Sequence, residues 1–244
     1  RVETTSSPDV FLVSGRGELH LAILVEKLRR EQFEFQVSRP EPVTKNINGH
    51  IHEPYERLVI NTTEEYIGPL TENLSGRLAT LMDMAYEDSG NIRVEYNIPT
   101  RGLIGFSSFF LRTTRGNGTK DSVFTGFKPM EGEVKDSGHK VLVASENGIA
   151  LTYGLINAQG RGETFINPGT SVYKGMIIGR HRRHQDIAIN VCKQKKLTNM
   201  RSSTADIAKR LSPPAKMSLD EALEFISSDE LLEVTPKNFR MRKK

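Results

Sequence analysis

Ile92-Arg93-Val94-Glu95-Tyr96-Asn97-Ile98-Pro99 alternates apolar and polar side chains with a period of two. That is the pattern of a strand with one buried face, and the proline ends it. Upstream, Leu58-Val59-Ile60 reads as another strand. Ile67, Leu70, Leu74, Leu78 and Leu81 follow it at spacings of three and four, as on one face of a helix. Downstream, Leu103, Phe106 and Phe110, with Phe109 beside them, give a second helix over residues 103–113, and Ser122 to Phe127 supplies a closing strand. The order β-α-β-β-α-β is the split βαβ arrangement of the ferredoxin-like fold, so the class expected is α+β.

Toward the N-terminus the same logic yields only part of such a domain. Val10-Phe11-Leu12-Val13 reads as a strand and Ser14-Gly15-Arg16-Gly17 as a turn. Leu21, Leu24, Val25 and Leu28 then mark a helix, and Phe33, Phe35 and Val37 a strand that Pro40 and Pro42 end. Standing alone, this strand–helix–strand leaves a sheet face or edge unsupported, so the chain is expected to begin inside a domain. From about residue 133 the punctuation changes: Gly138, Gly148, Gly154, Gly160, Gly162, Gly169, Gly175 and Gly179 separate short β-branched and aromatic stretches. Regular turns between short strands predict a small barrel or sandwich. Ser218-Leu219-Asp220-Glu221 is a capping box that opens a helix there, and Leu231 to Val234 and Phe239 to Met241 read as terminal strands.

The 244 residues carry 34 Lys/Arg against 30 Asp/Glu, a net of +4 that conceals a segregated distribution. Residues 1–179 hold 19 basic and 22 acidic side chains, whereas residues 180–244 hold 15 and 8. Between Arg180 and Lys216 ten basic residues face only Asp186 and Asp206. Local positive charge of this kind attracts polyanions whatever the whole-chain average. No apolar run approaches the roughly 18–20 residues of a membrane span. The N-terminal residues lack the apolar stretch of a secretory signal. The single cysteine, Cys192, cannot form an internal disulfide, which fits a reducing compartment.

Catalytic motifs are not found. No G-x-x-x-x-G-K-[ST] occurs; Gly116-Asn117-Gly118-Thr119-Lys120 has the wrong spacing and precedes a strand, not a helix. Gly15-Arg16-Gly17 opens a helix whose N-terminus suits an anion, although a tight strand-to-helix turn is its ordinary explanation. His50-x-His52 and His181-x-x-His184 each offer two imidazoles, too few for a zinc site, and Cys192 has no orienting partner. Neither a catalytic centre nor a resident cofactor or metal is therefore expected. The basic stretch is the candidate site, with Arg180, Arg182, Arg183, Lys193, Lys195, Lys196, Arg201, Lys209 and Arg210 as RNA-contacting residues. Residues 193–211 are expected as a long loop with a short helix over Thr204–Leu211. No aromatic lies between Tyr173 and Phe225, so phosphate contact with structured RNA is expected in that stretch, not base stacking.

Val13-Ser14-Gly15-Arg16-Gly17-Glu18-Leu19-His20-Leu21 resembles the start of a helix in domain III of translational GTPases of the elongation factor G type. Tyr66-Ile67-Gly68 and Pro99-Thr100-Arg101-Gly102-Leu103-Ile104-Gly105-Phe106 resemble their domain V. Asn190-Val191-Cys192-Lys193, Leu197-Thr198-Asn199-Met200-Arg201-Ser202 and Asp229-Glu230-Leu231-Leu232-Glu233-Val234-Thr235-Pro236 narrow the likeness to the TypA/BipA family of ribosome-associated GTPases, over essentially the whole chain. The resemblance implies that residues 1–45 are the second half of domain III, 46–130 domain V, and 131–244 a family-specific β-rich domain with one or two helices. It implies a cytoplasmic protein (or an organellar stromal one in a eukaryote), monomeric and without membrane contact. Such a protein docks at the factor and A-site region of the ribosome through large-subunit rRNA, and reaches the tRNA acceptor region and ribosomal proteins. It implies links to large-subunit assembly and stress adaptation. Arg112, Arg115 and Lys120 would face rRNA from domain V. GTP and Mg would belong to an N-terminal domain absent here, so this portion is not itself an enzyme. An RNA-metabolism enzyme with an unrecognised site, or a protein-binding adaptor, is the alternative.

Overall fold

The computed structural model describes residues 1–87, 90–134, 140–183, 185–194 and 211–244. They fall into two compact units, Arg1–Ser14 with Pro40–Ser137, and Gly15–Arg39 with Gly138–Lys244. Both mix helices with small sheets, as the α+β reading expects.

In the first unit, β1 (Val2–Thr4) and β2 (Phe11–Val13) form an antiparallel pair. The next elements, α1 (Glu18–Arg30) and β3 (Phe35–Ser38), belong to the second unit. The first then resumes with β4 (Lys45–Ile47), β5 (His50–Thr63), α2 (Glu64–Gly76), β6 (Thr80–Tyr86) and β7 (Asn91–Pro99). It ends with α3 (Thr100–Leu103), α4 (Phe106–Thr114) and β8 (Thr119–Pro129). The long strands run β8-β5-β7-β6, all antiparallel, which is the ferredoxin-like order. Leu58 and Ile60 of β5 and Ile92, Val94, Tyr96 and Ile98 of β7 share one face and close a core with Leu70 and Leu74 of α2 and Phe106 and Phe110 of α4. The strand period of two and the helical spacing of three and four thus meet in the same interior. Tyr96 keeps its buried hydroxyl partnered at 2.7 Å from Thr71 Oγ1.

Two local readings change, and one element goes unread in the sequence. The helix expected through Leu81 stops at Gly76. Ala79 N–H donates back to Leu74 O, Leu78 takes a positive φ of 65°, and Leu81 lies on strand β6. Apolar spacing alone carried the helix too far, because Leu81 also continues the strand that follows. The helix over residues 103–113 is two helices separated by Ile104-Gly105, and buried Arg77 donates to the carbonyls of Gly102 and Ile104 at 2.9 and 2.8 Å across that break. The connection Pro40 to Gly49 holds a hairpin: Asn48 and Gly49 have φ of 53° and 83°, joining β4 to β5 with Ile47 opposite His50. Asn-Gly is the strongest short hairpin signal in a sequence, because two successive positive φ angles suit these residues.

The second unit continues with β9 (Val141–Ala144), β10 (Gly148–Ile149), α5 (Thr152–Gln159), β11 (Gly162–Thr164), β12 (Ser171–Val172) and β13 (Ile177–His181). After β14 (Ile187–Ile189) come α6 (Leu219–Phe225), β15 (Glu230–Val234) and β16 (Phe239–Lys243). One sheet is ordered β11-β13-β9-β14 and another β16-β15-β3, while β10 pairs with β12. β3 adds to β15 with Val37 opposite Leu232, and Ala22 and Val25 of α1 share a core with Ala222, Leu223, Phe225 and Val234. α1 and β3, which the sequence groups with β2, therefore bury their apolar faces among residues 138–244. α5 appears where glycine punctuation suggests strands. A Cβ on Gly154 would lie 2.2 Å from Val191 O, so this glycine permits close approach of the helix to the chain beyond β14 and is not a turn residue.

At α6 the capping box forms as read: Ser218 Oγ accepts from Glu221 N, and Glu221 Oε2 accepts from Ser218 N at 2.8 Å. A helix of seven residues draws little stability from its own propensity, so the cap and the buried Leu223 and Phe225 hold it. Ser218→Ala is expected to cost about 1 kcal/mol. Urea denaturation monitored on the second unit measures it, and a shift near zero would show the cap to be idle.

Candidate nucleic-acid interface

The basic candidates do not all sit alike. Lys195, Lys196, Arg201, Lys209 and Arg210 lie outside the described residues, as does nearly all of the expected Thr204–Leu211 helix. Arg180, inside β13, is half-buried, with its guanidinium carbon 5.3 Å from the centre of the Phe225 ring. A cation over an aromatic face is a packing contact. Arg182 and Arg183 are exposed in the turn beyond β13, and Lys193 is exposed after Cys192.

Strand register adds residues that sequence reasoning missed. Gly162 of β11 pairs with His181, and Arg182 N–H donates to Arg161 O at 3.1 Å, so exposed Arg161 stands across from Arg182. His181 N–H in turn donates to Lys140 O at 2.6 Å, which puts half-buried Lys140 at the same end of the sheet. Arg161 comes from the Gly160-Arg161-Gly162 turn, which carries no charge run, and only the β11–β13 pairing gathers it with Arg182 and Arg183. His181 itself is buried, its Nδ1 2.5 Å from Gln185 O, and shapes the turn instead of meeting solvent.

Asp186, three residues past Arg183, is already engaged. Asp186 Oδ2 lies 2.7 Å from Lys243 Nζ, and Asp186 Oδ1 accepts Val141 N–H at 2.9 Å. Burial raises the Asp186 carboxyl, but the Lys243 ammonium and the Val141 N–H outweigh it and hold the group below its ordinary range. Lys243 also meets Asp229 Oδ2 at 2.9 Å and Glu230 Oε1 at 2.8 Å. Burial alone would lower the ammonium, and the three carboxylates reverse that and hold it above its ordinary value. This cluster ties β16 to the residue that opens β14, and so anchors one end of the Arg182–Arg183 turn.

In the first unit Arg112 and Arg115 are exposed at the C-terminal end of α4, where a helix dipole favours cations, and Lys120 is partly buried at the start of β8 opposite Ile60. Cys192 is half-buried, and burial, with a smaller contribution from Glu146, pushes its thiol up, away from the thiolate of a nucleophile. Among the described residues no group of three or more His, Cys, Asp or Glu side chains is placed to hold a metal ion. No helix among them is long and apolar enough to cross a membrane.

A ferredoxin-like unit over residues 50–137 matches the family model described as the elongation factor G C-terminus, and residues 139–244 match the TypA/BipA C-terminal domain. The pair defines a C-terminal region of the translational-factor type. The chain belongs to the TypA/BipA family. It is similar over its full length to curated relatives named large ribosomal subunit assembly factor BipA, with 48% identity to that of Synechocystis, 46% to that of Bacillus subtilis and 45% to that of Salmonella typhimurium. It spans 41%, 40% and 40% of their lengths, respectively.

Proposed function

We propose that this chain is the ribosome-docking portion of a large-subunit assembly factor related to translational GTPases, and that it meets rRNA at the factor and A-site region. The observation that carries this reading is the exposed cationic group Arg161, Arg182 and Arg183 within the family-specific unit, with Asp186 beside it engaged by Lys243, while exposed Lys193 follows the far end of β14. The sequence adds Lys195, Lys196, Arg201, Lys209 and Arg210 to the same stretch, and these would contact rRNA or a tRNA acceptor end. Arg112, Arg115 and Lys120 would contribute from the first unit. GTP and Mg would be held by the part of the relatives' length that this chain does not span, in a cytoplasmic protein linked to stress adaptation.

Each phosphate contact releases counterions, so affinity is expected to fall steeply with salt. Five or six contacts give a log–log slope on the order of −4. Ribosome co-sedimentation at two or more salt concentrations measures it. Neutralising Arg161, Arg182, Arg183 and Lys193 together is expected to flatten the slope by about 3. An unchanged slope and affinity would remove this surface from the mechanism, and binding that survives nuclease digestion would favour a protein-binding adaptor.

A further inference from the structure

β7 ends at Pro99 opposite Tyr55, so the first residues of β5 run on as a three-stranded arm, with β4 on one edge and the end of β8 on the other. His52 pairs with both Lys45 and Pro129, and Pro54 pairs with Phe127, which puts Lys45, His52, Pro54, Phe127 and Pro129 on one face. Lys45 Nζ lies 4.0 Å from the centre of the Phe127 ring. Phe124 meets Phe127 edge-on, with centroids 5.6 Å apart and planes at 70°, yet keeps 57% of its surface exposed. On the opposite face, Lys128 Nζ lies 4.9 Å over Tyr55.

The arm's two acids are both engaged, although Glu56 pairs with Phe124 and shares its face. Glu53 is buried and gripped by Arg101 at 2.6 and 3.0 Å, and Glu56 accepts the Thr100 hydroxyl at 2.8 Å. The exposed charges on the arm strands are therefore Lys45 and Lys128, with exposed His50 at the hairpin and exposed Glu131 two residues past β8. Aromatic faces beside ammonium groups are what a single-stranded nucleic acid requires: a ring for the base and a cation for the phosphate. Among the described residues the Arg161–Arg182–Arg183 surface sets no such ring beside its cations, and it suits paired RNA recognised by shape.

We propose that this arm is a second RNA-contact site, on which an unpaired base stacks against Phe124 while Lys45, on the same face, holds a flanking phosphate. It shares the RNA partner of the reading above but lies on the other unit and uses different chemistry. Fluorescence anisotropy of the whole chain, with a labelled oligouridylate of about ten nucleotides and a blunt RNA duplex of equal length, separates the two sites. Phe124→Ala is expected to weaken oligouridylate binding about tenfold and to leave duplex binding unchanged. Phe124→Leu should weaken it equally, and Phe124→Trp should retain it, since the aromatic plane is what matters. The side chain is largely exposed, so the thermal midpoint of each variant should match the parent.

Wild-type affinity in Phe124→Ala would overturn the proposal. So would full recovery in Phe124→Leu, which would mean an apolar protein-docking contact, or no oligouridylate binding by the parent chain. Arg182→Ala with Arg183→Ala should instead lower duplex binding. Loss of that effect alone would count against the cationic surface and leave the arm standing.

Discussion

Arg101→Ala is expected to destabilise the first unit by about 3–5 kcal/mol, because it leaves a buried carboxylate with no counter-charge. Glu53 is 1% exposed and accepts two guanidinium hydrogen bonds, Nε at 2.6 Å and Nη2 at 3.0 Å. The same Nη2 donates to the carbonyls of Glu131 and Gly132 at 2.9 and 3.0 Å, so the substitution also releases the chain beyond β8. Arg101→Lys should recover only part of the loss, since an ammonium cannot supply the planar two-pronged donor. Removing both charges, as Glu53→Gln with Arg101→Met, should cost less than Arg101→Ala alone, because no bare carboxylate remains. Native-state hydrogen exchange at β5 amides reads this unit separately from the other. A loss below about 1 kcal/mol would show that water reaches Glu53 when the arginine is gone.

Lys243→Met should cost the second unit about 3 kcal/mol near neutral pH, at the low end for a broken buried pair because the Lys243 side chain keeps 23% exposure. Glu230, only 1% exposed, would then share a site with Asp186 and Asp229 and lose its bonded cation, leaving only the weaker attraction of Lys140 on Asp186. The pH dependence has a definite sign. Asp186 titrates lower in the folded chain than in the unfolded one, so its contribution is present above the unfolded carboxyl value of about 4 and is lost as pH falls through the folded one. Lys243 titrates higher when folded, so its contribution is complete below the unfolded value of about 10.4 and is lost only at still higher pH. The gap between parent and variant should therefore be widest from about pH 5 to 9 and narrow below about pH 4. Urea midpoints across that range measure it, and a gap independent of pH would assign the loss to packing.

The first unit was legible because each strand with one buried face is followed by a helix with one buried stripe. Ile92, Val94, Tyr96 and Ile98 declare their face in a single run, as do Leu70 and Leu74. Boundaries were less legible where a residue fits both periods, as Leu81 does. The hairpin before β5 had its signal in Asn48-Gly49, but the flanking Lys45, Asn46 and Ile47 are all exposed and show no alternation of burial. The second unit resisted reading because its strands are short and its glycines serve two purposes, turning the chain at some positions and admitting neighbouring backbone at others, as at Gly154.

The basic surface was half legible for a related reason. Charge density marks Arg182, Arg183 and Lys193, but cannot tell that Arg180 packs on Phe225. Nor can it bring in Arg161, which is some twenty residues away in sequence and adjacent only through the β11–β13 ladder. The aromatic arm was invisible as a unit, since Lys45, Tyr55, Phe124 and Lys128 meet only when β4, β5 and β8 pair.

The addition of β3 to β15 has a consequence for how the chain is made. Gln36 and Glu233, which face each other across that pairing, are 197 residues apart. At the usual 5–20 residues added per second, β3 leaves the ribosome about ten to forty seconds before its partner strand exists. The whole β4 to β8 segment is synthesised in that interval and contains every strand and helix of its own core. It can therefore close during synthesis, while the apolar side of α1 waits for Ala222, Leu223, Phe225 and Val234. The second unit is thus completed later than the first, and the waiting helix and strand are where a nascent-chain chaperone would find exposed apolar surface.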